Sequence, residues 1–196
     1  MLLYDISTEI LTAKVYEGDP KPEHKYIKSI ESGDDYNLSE FSMCTHNATH
    51  IDSPFHFDTD GKKIGDMRLS TFYGKCTVVT IKGILTGQDM ERLLPYCKKR
   101  LILHGDGEAY ISLSAAVVIA DSDIVLVGTD GLCLSTAFDE ARVHMELARG
   151  EIAVLEGLNL KGIRDGEYTL CAFPLKLSDS EAAPCRAILM EQEKGF

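Results

Sequence analysis

The sequence is poor in positive charge. Its 196 residues include 20 Lys and Arg against 31 Asp and Glu, a formal net charge of −11. A protein that binds nucleic acid without sequence preference needs a basic surface that displaces counterions from phosphates. Anionic membranes attract the same kind of surface. The charge balance therefore argues against nucleic acid and against a membrane as partners.

The sequence also lacks three patterns that mark particular classes of protein. No two of its six cysteines have the C-x-x-C spacing typical of zinc ribbons and thioredoxin-like motifs. The first residues, MLLYDISTEI, have no charged region followed by an apolar one, so we expect no signal peptide. No apolar run approaches the ~20 residues that span a bilayer. We expect six reduced thiols in a cytoplasmic protein.

The distribution of apolar residues predicts one α/β domain over residues 1–196. The first third is polar and irregular, whereas the second half alternates apolar, often β-branched strands with helices. The clearest predicted strands cover residues 75–82, 100–105, 123–131 and 152–157. Alternating strands and helices favour a partly parallel sheet, but the irregular first part argues against a plain doubly wound one. We therefore predict a mixed sheet that curls towards a barrel and is flanked by helices.

The most regular predicted helix covers residues 137–150. Its apolar residues Ala141, Met145 and the pair Leu147–Ala148 repeat at three to four positions, which predicts its buried face. Gly150 stands where a helix often ends on a glycine in a left-handed conformation.

Residues 44–56, CTHNATHIDSPFH, carry the most informative pattern. Three of the six histidines, His46, His50 and His56, lie within eleven residues, and Asp52 lies between them. Histidine and aspartate are usual protein ligands of zinc and its first-row neighbours. In an extended segment His50 and Asp52 share one face, about 7 Å apart, which is close enough to bind one ion. The segment therefore predicts a metal site.

His46 can join that site only if the chain turns. In a straight strand His46 and His50 would be about 14 Å apart, too far for shared ligation. The small, turn-tolerant pair Asn47 and Ala48 is the expected position of the turn. A helical H-x-x-x-H pair is the alternative, which nearby β-branched residues and a proline disfavour.

Two further residues form a candidate second ligand pair. His144 lies in the predicted helix, and Glu156 ends the predicted strand at 152–157. A histidine on a helix is more often a surface or hydrogen-bonded residue than a ligand. A glutamate at the end of an apolar strand is costly to bury unless it is paired or binds a metal.

The histidine segment resembles a family signature. The pattern from His46 to His56 is similar to the HxGTHxDxPxH signature of the cyclase-like metal-dependent hydrolases, a family that includes bacterial kynurenine formamidase (arylformamidase) and isatin hydrolase. The similarity covers most of the chain. It includes the opening YDIS, Gly18-Asp19-Pro20, VGTDG at 127–131, His144 with Glu156, and Ala183-Pro184-Cys185-Arg186-Ala187.

The resemblance implies a metal centre. It implies that His46, His50 and Asp52 bind one metal, and that Asp52 bridges to a second metal held by His144 and Glu156. The implied cofactor is zinc, one or two ions per chain, with manganese as the alternative.

The resemblance also implies a reaction and an assembly. The reaction is hydrolysis of an amide, formamide or lactam of a small-molecule substrate, as in an arylformamidase. His56 would be the catalytic histidine that is not a ligand, because an imidazole can take a proton from water and pass it to the leaving nitrogen. The implied fold is of the swivelling β/α/β type, and the implied assembly is a homodimer or homotetramer.

Two departures from the family pattern keep alternatives open. The signature glycine is Ala48, which we expect to be tolerated if its φ is negative. The chain has no Trp, which kynurenine formamidases often carry in the N-terminal loop, and Tyr16 takes the nearest equivalent position. One alternative is a metal- or ligand-binding relative without catalysis. The other is a hydrolase of esters or lactones in the same site.

Several other polar residues are candidates for the functional site but can also be interpreted as structural. Tyr16, Asp19 and Arg186 are candidate substrate contacts, although a structural ion pair is the favoured interpretation of Arg186. Asp130 follows a predicted strand, where α/β sites often form, and is also typical of a turn. His104 also ends a strand and is interpreted as structural.

Overall fold

The computed structural model describes residues 1–191 of the chain. These residues form thirteen strands and four α-helices. The strands are β1 (Leu2–Asp5), β2 (Glu23–Lys28), β3 (Leu38–Ser42), β4 (His50–Asp52), β5 (Tyr73–Thr80), β6 (Gly83–Leu85), β7 (Arg100–His104), β8 (Ala109–Ile111), β9 (Leu126–Thr129), β10 (Ala153–Glu156), β11 (Gly166–Cys171), β12 (Ala182–Pro184) and β13 (Ile188–Glu191). The helices are α1 (Leu69–Phe72), α2 (Gly87–Leu93), α3 (Leu113–Ala120) and α4 (Glu140–Arg149). Within the described part, no helix is long and apolar enough to cross a membrane.

Nine of the strands form one mixed sheet. Their order is β1-β13-β11-β5-β7-β9-β10-β4-β12. The four central strands β5, β7, β9 and β10 are parallel, and antiparallel strands flank them on both sides. The predicted mixed, curled sheet in an α/β fold is confirmed. The short strands β4 and β12, which the sequence analysis did not predict, extend the sheet beyond β10.

The central strands are apolar because both of their faces are covered. In β7, Ile102 packs into one core cluster, whereas Leu101 and Leu103 pack into the other, since successive side chains point to opposite faces. One cluster contains residues of the helices, among them Ile119 of α3 and Leu147 of α4. The other is filled from the sheet and its flanking strands and loops.

Helices α2 and α3 begin at capping side chains that their sequences supply. Thr86 and Asp89 form a reciprocal capping box at the start of α2, and Ser112 accepts a hydrogen bond from the amide of Ala115 at the start of α3. Pro95 does not continue α2, which passes into a short 3₁₀ turn at Leu94–Tyr96.

Helix α4 differs from its prediction in two respects. Its buried residues are Val143, His144, Leu147 and Ala148, whereas Met145 is 57% exposed. The prediction is confirmed for Leu147 and Ala148 but wrong for Ala141 and Met145, because the buried face includes His144, a polar residue that an apolar periodicity does not count. Gly150 follows the helix with φ of −80°, so it is not a left-handed cap. A Cβ there would lie 2.8 Å from Cα of Ala120, so the glycine permits close packing against α3.

Strands β2 and β3 form a separate two-stranded ribbon. Nearly all of its residues are exposed, and they include large apolar side chains. Tyr26 is 67% exposed, Ile27 52% and Phe41 57%.

Candidate metal centre

Strand β4 presents His50 and Asp52 on one face. The two residues are separated by one position, so their side chains point the same way, and both are 3% exposed. The neighbouring strand β10 pairs with β4 so that Glu156 lies directly opposite His50. Directly opposed residues of an antiparallel pair place their side chains on the same face. The sheet register therefore brings a carboxylate from the second half of the chain to the histidine segment.

A turn before β4 returns His46 to this face. The ring centroids of His46 and His50 are 5.1 Å apart, far closer than an extended segment allows. Ala48 occupies the turn with φ of 58°. The position of the turn agrees with the prediction, but the condition of a negative φ, under which alanine was expected to be tolerated, is not met. The left-handed conformation costs about 1–2 kcal/mol for a residue with a Cβ.

The first donor group consists of His46, His50 and Asp52. One ligand atom from each lies within 4.8 Å of the other two. Oδ1 of Asp52 is 3.0 Å from Nδ1 of His46 and 3.3 Å from Nε2 of His50. Nevertheless, within residues 1–191 neither that Oδ1 nor that Nε2 has a hydrogen-bond partner. Buried polar atoms are rarely left in this state, so the group fits a cation.

The His50 ring is oriented by the backbone. Its Nδ1 is 3.0 Å from the carbonyl oxygen of Ala48. A carbonyl oxygen only accepts hydrogen bonds, so Nδ1 carries the hydrogen and Nε2 is the atom available to a metal. The Ala48 turn therefore both returns His46 to the site and fixes the ligand atom of His50.

The second donor group consists of His144, Glu156 and Cys133, which lies on the loop after β9. Their ligand atoms also lie within 4.8 Å of one another. Nε2 of His144 is 3.8 Å from Oε1 of Glu156 and 3.8 Å from Sγ of Cys133. The predicted pair of His144 and Glu156 is thus close in space. Cys133 has no ligand-like spacing to any other residue, so the sequence pattern does not predict a cysteine in the site.

Glu156 faces both donor groups. Its Oε1 accepts a hydrogen bond from the amide of Leu134 at 2.8 Å and faces His144. Its Oε2 is 3.8 Å from Nε2 of His50. The Glu156 carboxylate therefore lies between the two donor groups. The resemblance implies that Asp52 has the bridging role, and Glu156 is a second carboxylate in such a position.

Burial and mutual charge shift the ionisation of these side chains. Burial alone would lower the pKa of His50, but the charge of Asp52 and then that of Glu156 raise it to about 9. Burial would raise the pKa of Asp52, yet the neighbouring His50 and His46 hold it well below its usual value. Burial and the charge of Asp52 raise the pKa of Glu156 to about 8. Burial lowers the pKa of His144.

His56 stands between the two groups without belonging to either. It ends a 3₁₀ turn that starts at Pro54. Its ring centroid is 4.2 Å from that of His46 and 6.0 Å from that of His144. Burial, only partly opposed by the charge of Asp52, lowers its pKa to about 4. His56 is therefore neutral at pH 7 and can accept a proton.

The histidines and carboxylates of the two donor groups, but not Cys133, line a cavity of about 210 Å³. Tyr16, Asp19 and Phe57 line it together with His46, His50, Asp52, His56, Leu132, Glu140, His144 and Glu156. The Tyr16 hydroxyl donates a hydrogen bond to Oε2 of Glu140 at 2.9 Å, and this bond, with burial, raises the pKa of Tyr16 to about 12. Of the three candidate substrate contacts, Tyr16 and Asp19 thus lie at the cavity.

Arg186 lies elsewhere, which corrects its candidate role as a substrate contact. Its guanidinium donates two hydrogen bonds to the carboxylate of Asp5, at 2.9 and 2.5 Å. Its side chain is 72% exposed. The alternative of a structural ion pair describes this residue.

Asp130 and His104 lie at the loops that follow β9 and β7, where Asp130 accepts backbone hydrogen bonds. Asp130 accepts hydrogen bonds from the amides of Gly105 and Gly107, at 3.1 and 3.2 Å from Oδ1. His104 lies 3.6 Å from Oδ2 of Asp130. Asp130 therefore acts as a turn residue and does not line the cavity, and His104 supports the same turn.

Comparison with known proteins identifies relatives of this fold and site. Residues 4–135 match the family model Cyclase, described as "Putative cyclase". A kynurenine formamidase of Bacillus anthracis is 29% identical over 187 residues, which cover 89% of this chain and 90% of that protein.

Solved structures share the fold over nearly the whole chain. One, described as a potential metal-dependent hydrolase with cyclase activity, is 26% identical with a TM-score of 0.80, covering 97% of this chain and 99% of that one. Isatin hydrolase A of Labrenzia aggregata shares the fold at 17% identity, with a TM-score of 0.83 and coverage of 98% and 94%. These matches and the two donor groups confirm the resemblance: the chain belongs to the cyclase family and is a metal-dependent hydrolase.

Proposed function

We propose that this chain is a zinc-dependent hydrolase of a carbon–nitrogen bond in a small formamide, amide or lactam, similar to kynurenine formamidase. His46, His50 and Asp52 would hold one ion, and His144 and Glu156 a second. The observation that carries the proposal is that the histidines and carboxylates of the two donor groups and a neutral histidine, His56, line one cavity. Manganese is the alternative metal, since it accepts carboxylate and imidazole ligands.

The chemistry would be shared between metal and protein. A bound divalent ion lowers the pKa of a coordinated water and polarises a carbonyl oxygen. His56, neutral at pH 7, would take a proton at its free ring nitrogen and deliver it to the leaving nitrogen as the carbon–nitrogen bond breaks. The His56 ring packs against the tilted His46 ring and edge-to-face against Phe57, at centroid distances of 4.2 and 4.3 Å, and these contacts would limit its rotation.

The size of the cavity supports a small reacting group. A volume of about 210 Å³ is below the ~300–1,000 Å³ of usual small-molecule pockets. A cavity of this size would admit a formyl or short acyl group, whereas a larger leaving group would extend beyond it. The Tyr16 side chain is partly exposed and aromatic, so it can contact the flat face of such a group.

We further propose that the protein is a homodimer or homotetramer. The ribbon exposes Tyr26 and Ile27 on β2 and Phe41 on the paired strand β3. Monomeric proteins rarely expose groups of large apolar side chains, so such groups often mark interaction surfaces. Light scattering tests this, with an expected mass of at least twice the 21.6 kDa of one chain.

The proposed location is the cytoplasm. All six cysteines are free thiols in the described residues. Extracellular proteins usually oxidise such thiols to disulfides, whereas reducing compartments preserve them. Labelling with a membrane-impermeant thiol reagent in intact and lysed cells tests the location.

The proposed reaction is tested with matched substrates. Chelator-treated protein is reloaded with zinc or manganese. It is then assayed on an N-formyl aromatic amine, on a lactam and on the corresponding aromatic formate ester. We expect metal-dependent hydrolysis of the formamide, faster than that of the ester relative to their uncatalysed rates. Full activity of metal-free protein would contradict the proposal. Ester-only turnover would assign the site to oxygen esters, and no turnover on any substrate would indicate a binding protein.

A further inference from the structure

We propose that Cys133 is a thiolate ligand of the second metal, so that this position has a sulfur, a nitrogen and an oxygen donor. The inference rests on the metal centre of the proposed function and deepens it. The ligand set implied by the resemblance contains only histidine and carboxylate, and it leaves zinc and manganese as alternatives. A thiolate would settle that choice, because it is a soft donor.

The distances fit a single ion. Zinc–sulfur and zinc–nitrogen bonds of about 2.3 and 2.0 Å at a tetrahedral angle separate the two ligand atoms by about 3.5 Å. Sγ of Cys133 and Nε2 of His144 are 3.8 Å apart. The same Nε2 is 3.8 Å from Oε1 of Glu156, against about 3.4 Å expected for two ligands of one zinc. Each separation needs a shift of only a few tenths of an ångström.

Independent features of the site point to a cation at this position. His144 and Glu156 are each 5% exposed, and burying them is costly without a partner. Glu156 is held in place by the Leu134 amide, the residue next to Cys133. Its other oxygen faces Nε2 of His50, a buried atom without a hydrogen-bond partner in residues 1–191.

The simplest competing role for Cys133 is a weak hydrogen bond. A thiol can donate to an imidazole nitrogen at a separation near 3.8 Å, and such a bond contributes little. That role would leave the thiol protonated when the protein is loaded with metal. In the ligand role the S–H bond breaks, a sulfur–metal bond forms, and the proton leaves to solvent without any oxidant or reductant.

A thiolate ligand would decide which metal fills the second position. Thiolates bind zinc, cadmium and cobalt in tetrahedral sites, whereas manganese prefers oxygen donors. The first donor group, with two imidazoles and one carboxylate, has no such preference for soft metals. We therefore expect the two positions to differ, with the second one selective for zinc over manganese.

Cobalt absorption tests the ligand directly. Full-length protein is stripped with a chelator and titrated with Co²⁺. We expect a thiolate-to-cobalt charge-transfer band in the near ultraviolet that is lost in Cys133→Ser. It should persist in the matched control Cys97→Ser, because Cys97 donates to the Leu93 carbonyl outside the site. A fully loaded wild-type protein without the band, or a band that survives in Cys133→Ser, would overturn the proposal.

Metal affinity supplies a second measurement. Cys133→Ser should weaken binding of the second Cd²⁺ at least about tenfold, since even indirect partners of metal ligands contribute 10–100-fold. Equal Cd²⁺ affinities of the variant and the wild type would count against the ligand role. If the variant fails to fold, cadmium NMR of the wild type decides, because coupling between cadmium and the β-protons of Cys133 requires a direct bond.

The assays of the same samples separate the two proposals. A charge-transfer band without hydrolysis of any formamide would retain Cys133 as a ligand and refute the proposed reaction. Hydrolysis by a protein without the band would retain the reaction and refute the ligand. In the second case the metal would be held by His144 and Glu156 without sulfur.

Discussion

The backbone of Gly157 lies against the carbonyl group of Ala48. A Cβ at Gly157 would overlap the carbonyl oxygen of Ala48 and lie 2.8 Å from its carbonyl carbon. That same oxygen accepts the hydrogen bond of His50 Nδ1. The carbonyl of Gly157 in turn accepts hydrogen bonds from Thr8 and Thr49, at 2.7 and 2.6 Å. Gly157 is therefore a positioning residue for the first donor group.

Replacement of Gly157 by alanine should weaken metal binding. The new Cβ must displace the Ala48 carbonyl and with it the acceptor that orients His50. Because partners of metal ligands contribute 10–100-fold to affinity, we expect at least a ~10-fold loss, measured by competition with a chelating dye. Gly162→Ala is the matched control, since Gly162 also has a positive φ, of 81°, but no atom near its Cβ position. Equal metal affinities of the two variants would refute the positioning role.

Replacement of Ala48 by glycine should stabilise the protein. The left-handed conformation of Ala48 costs about 1–2 kcal/mol, whereas the greater freedom of glycine in the unfolded chain costs about 0.5–1 kcal/mol. We expect a net gain of about 0.5–1 kcal/mol in the free energy of unfolding, measured by urea denaturation. Ala141→Gly, at an exposed position of α4, should show the opposite sign. Metal affinity should not change in Ala48→Gly, because the acceptor for His50 is backbone.

His56 and His50 should respond differently to substitution. His56→Ala should retain the metal and lose turnover by about 10²–10⁴-fold, the usual contribution of a general acid or base. His50→Ala should lose metal from the first position, since its Nε2 is a proposed ligand atom. Elemental analysis and steady-state kinetics on both variants check this. Loss of metal from His56→Ala would assign His56 to the ligands instead.

The metal-free protein should lose stability as the pH rises from 6.5 to 8.5. The folded pKa values of His50 and Glu156, about 9 and about 8, lie above their ordinary values of 6.5 and 4.5. The folded state therefore binds more protons in this window, and raising the pH favours unfolding. His56, with its pKa lowered to about 4, acts in the opposite direction but only below pH 6.5. Urea denaturation of chelator-treated protein at fixed pH values measures the trend.

Metal affinity should follow the opposite trend over the same window. Ligands bind a cation in their deprotonated form, so His50 and Glu156 must release protons as metal binds. Calorimetry in buffers of different ionisation enthalpy counts those protons, and Glu156→Gln should reduce the count near pH 7. An affinity that is independent of pH would contradict the raised pKa values.

The sequence predicted the parts of this protein that depend on local pattern. The runs at 75–82, 100–105, 123–131 and 152–157 correspond to β5, β7, β9 and β10, because parallel strands buried on both faces are continuously apolar. The spacing of His50 and Asp52 was sufficient to predict a shared face. His144 and Glu156 became strong candidates through the family resemblance, since a histidine on a helix and a glutamate on a strand carry little signal alone.

Other features depend on tertiary structure, which the pattern does not encode. The three residues of β4 are too few for a periodicity, and only pairing with β10 and β12 makes them a strand. The proximity of Cys133 to His144 depends on how the loop after β9 meets α4. The positive φ of Ala48 follows from closure of the turn over Gly157, an interaction between residues more than a hundred positions apart.

The opposition of His50 and Glu156 across β4 and β10 makes the metal centre sensitive to strand alignment. A slip of one residue between these strands would turn one of the two side chains to the other face of the sheet, because side chains alternate with a period of two. Only the correctly aligned sheet assembles both proposed donors, so the two proposed ions would stabilise that alignment over shifted alignments by mass action. Metal binding would thus favour the correct strand alignment in addition to its part in catalysis.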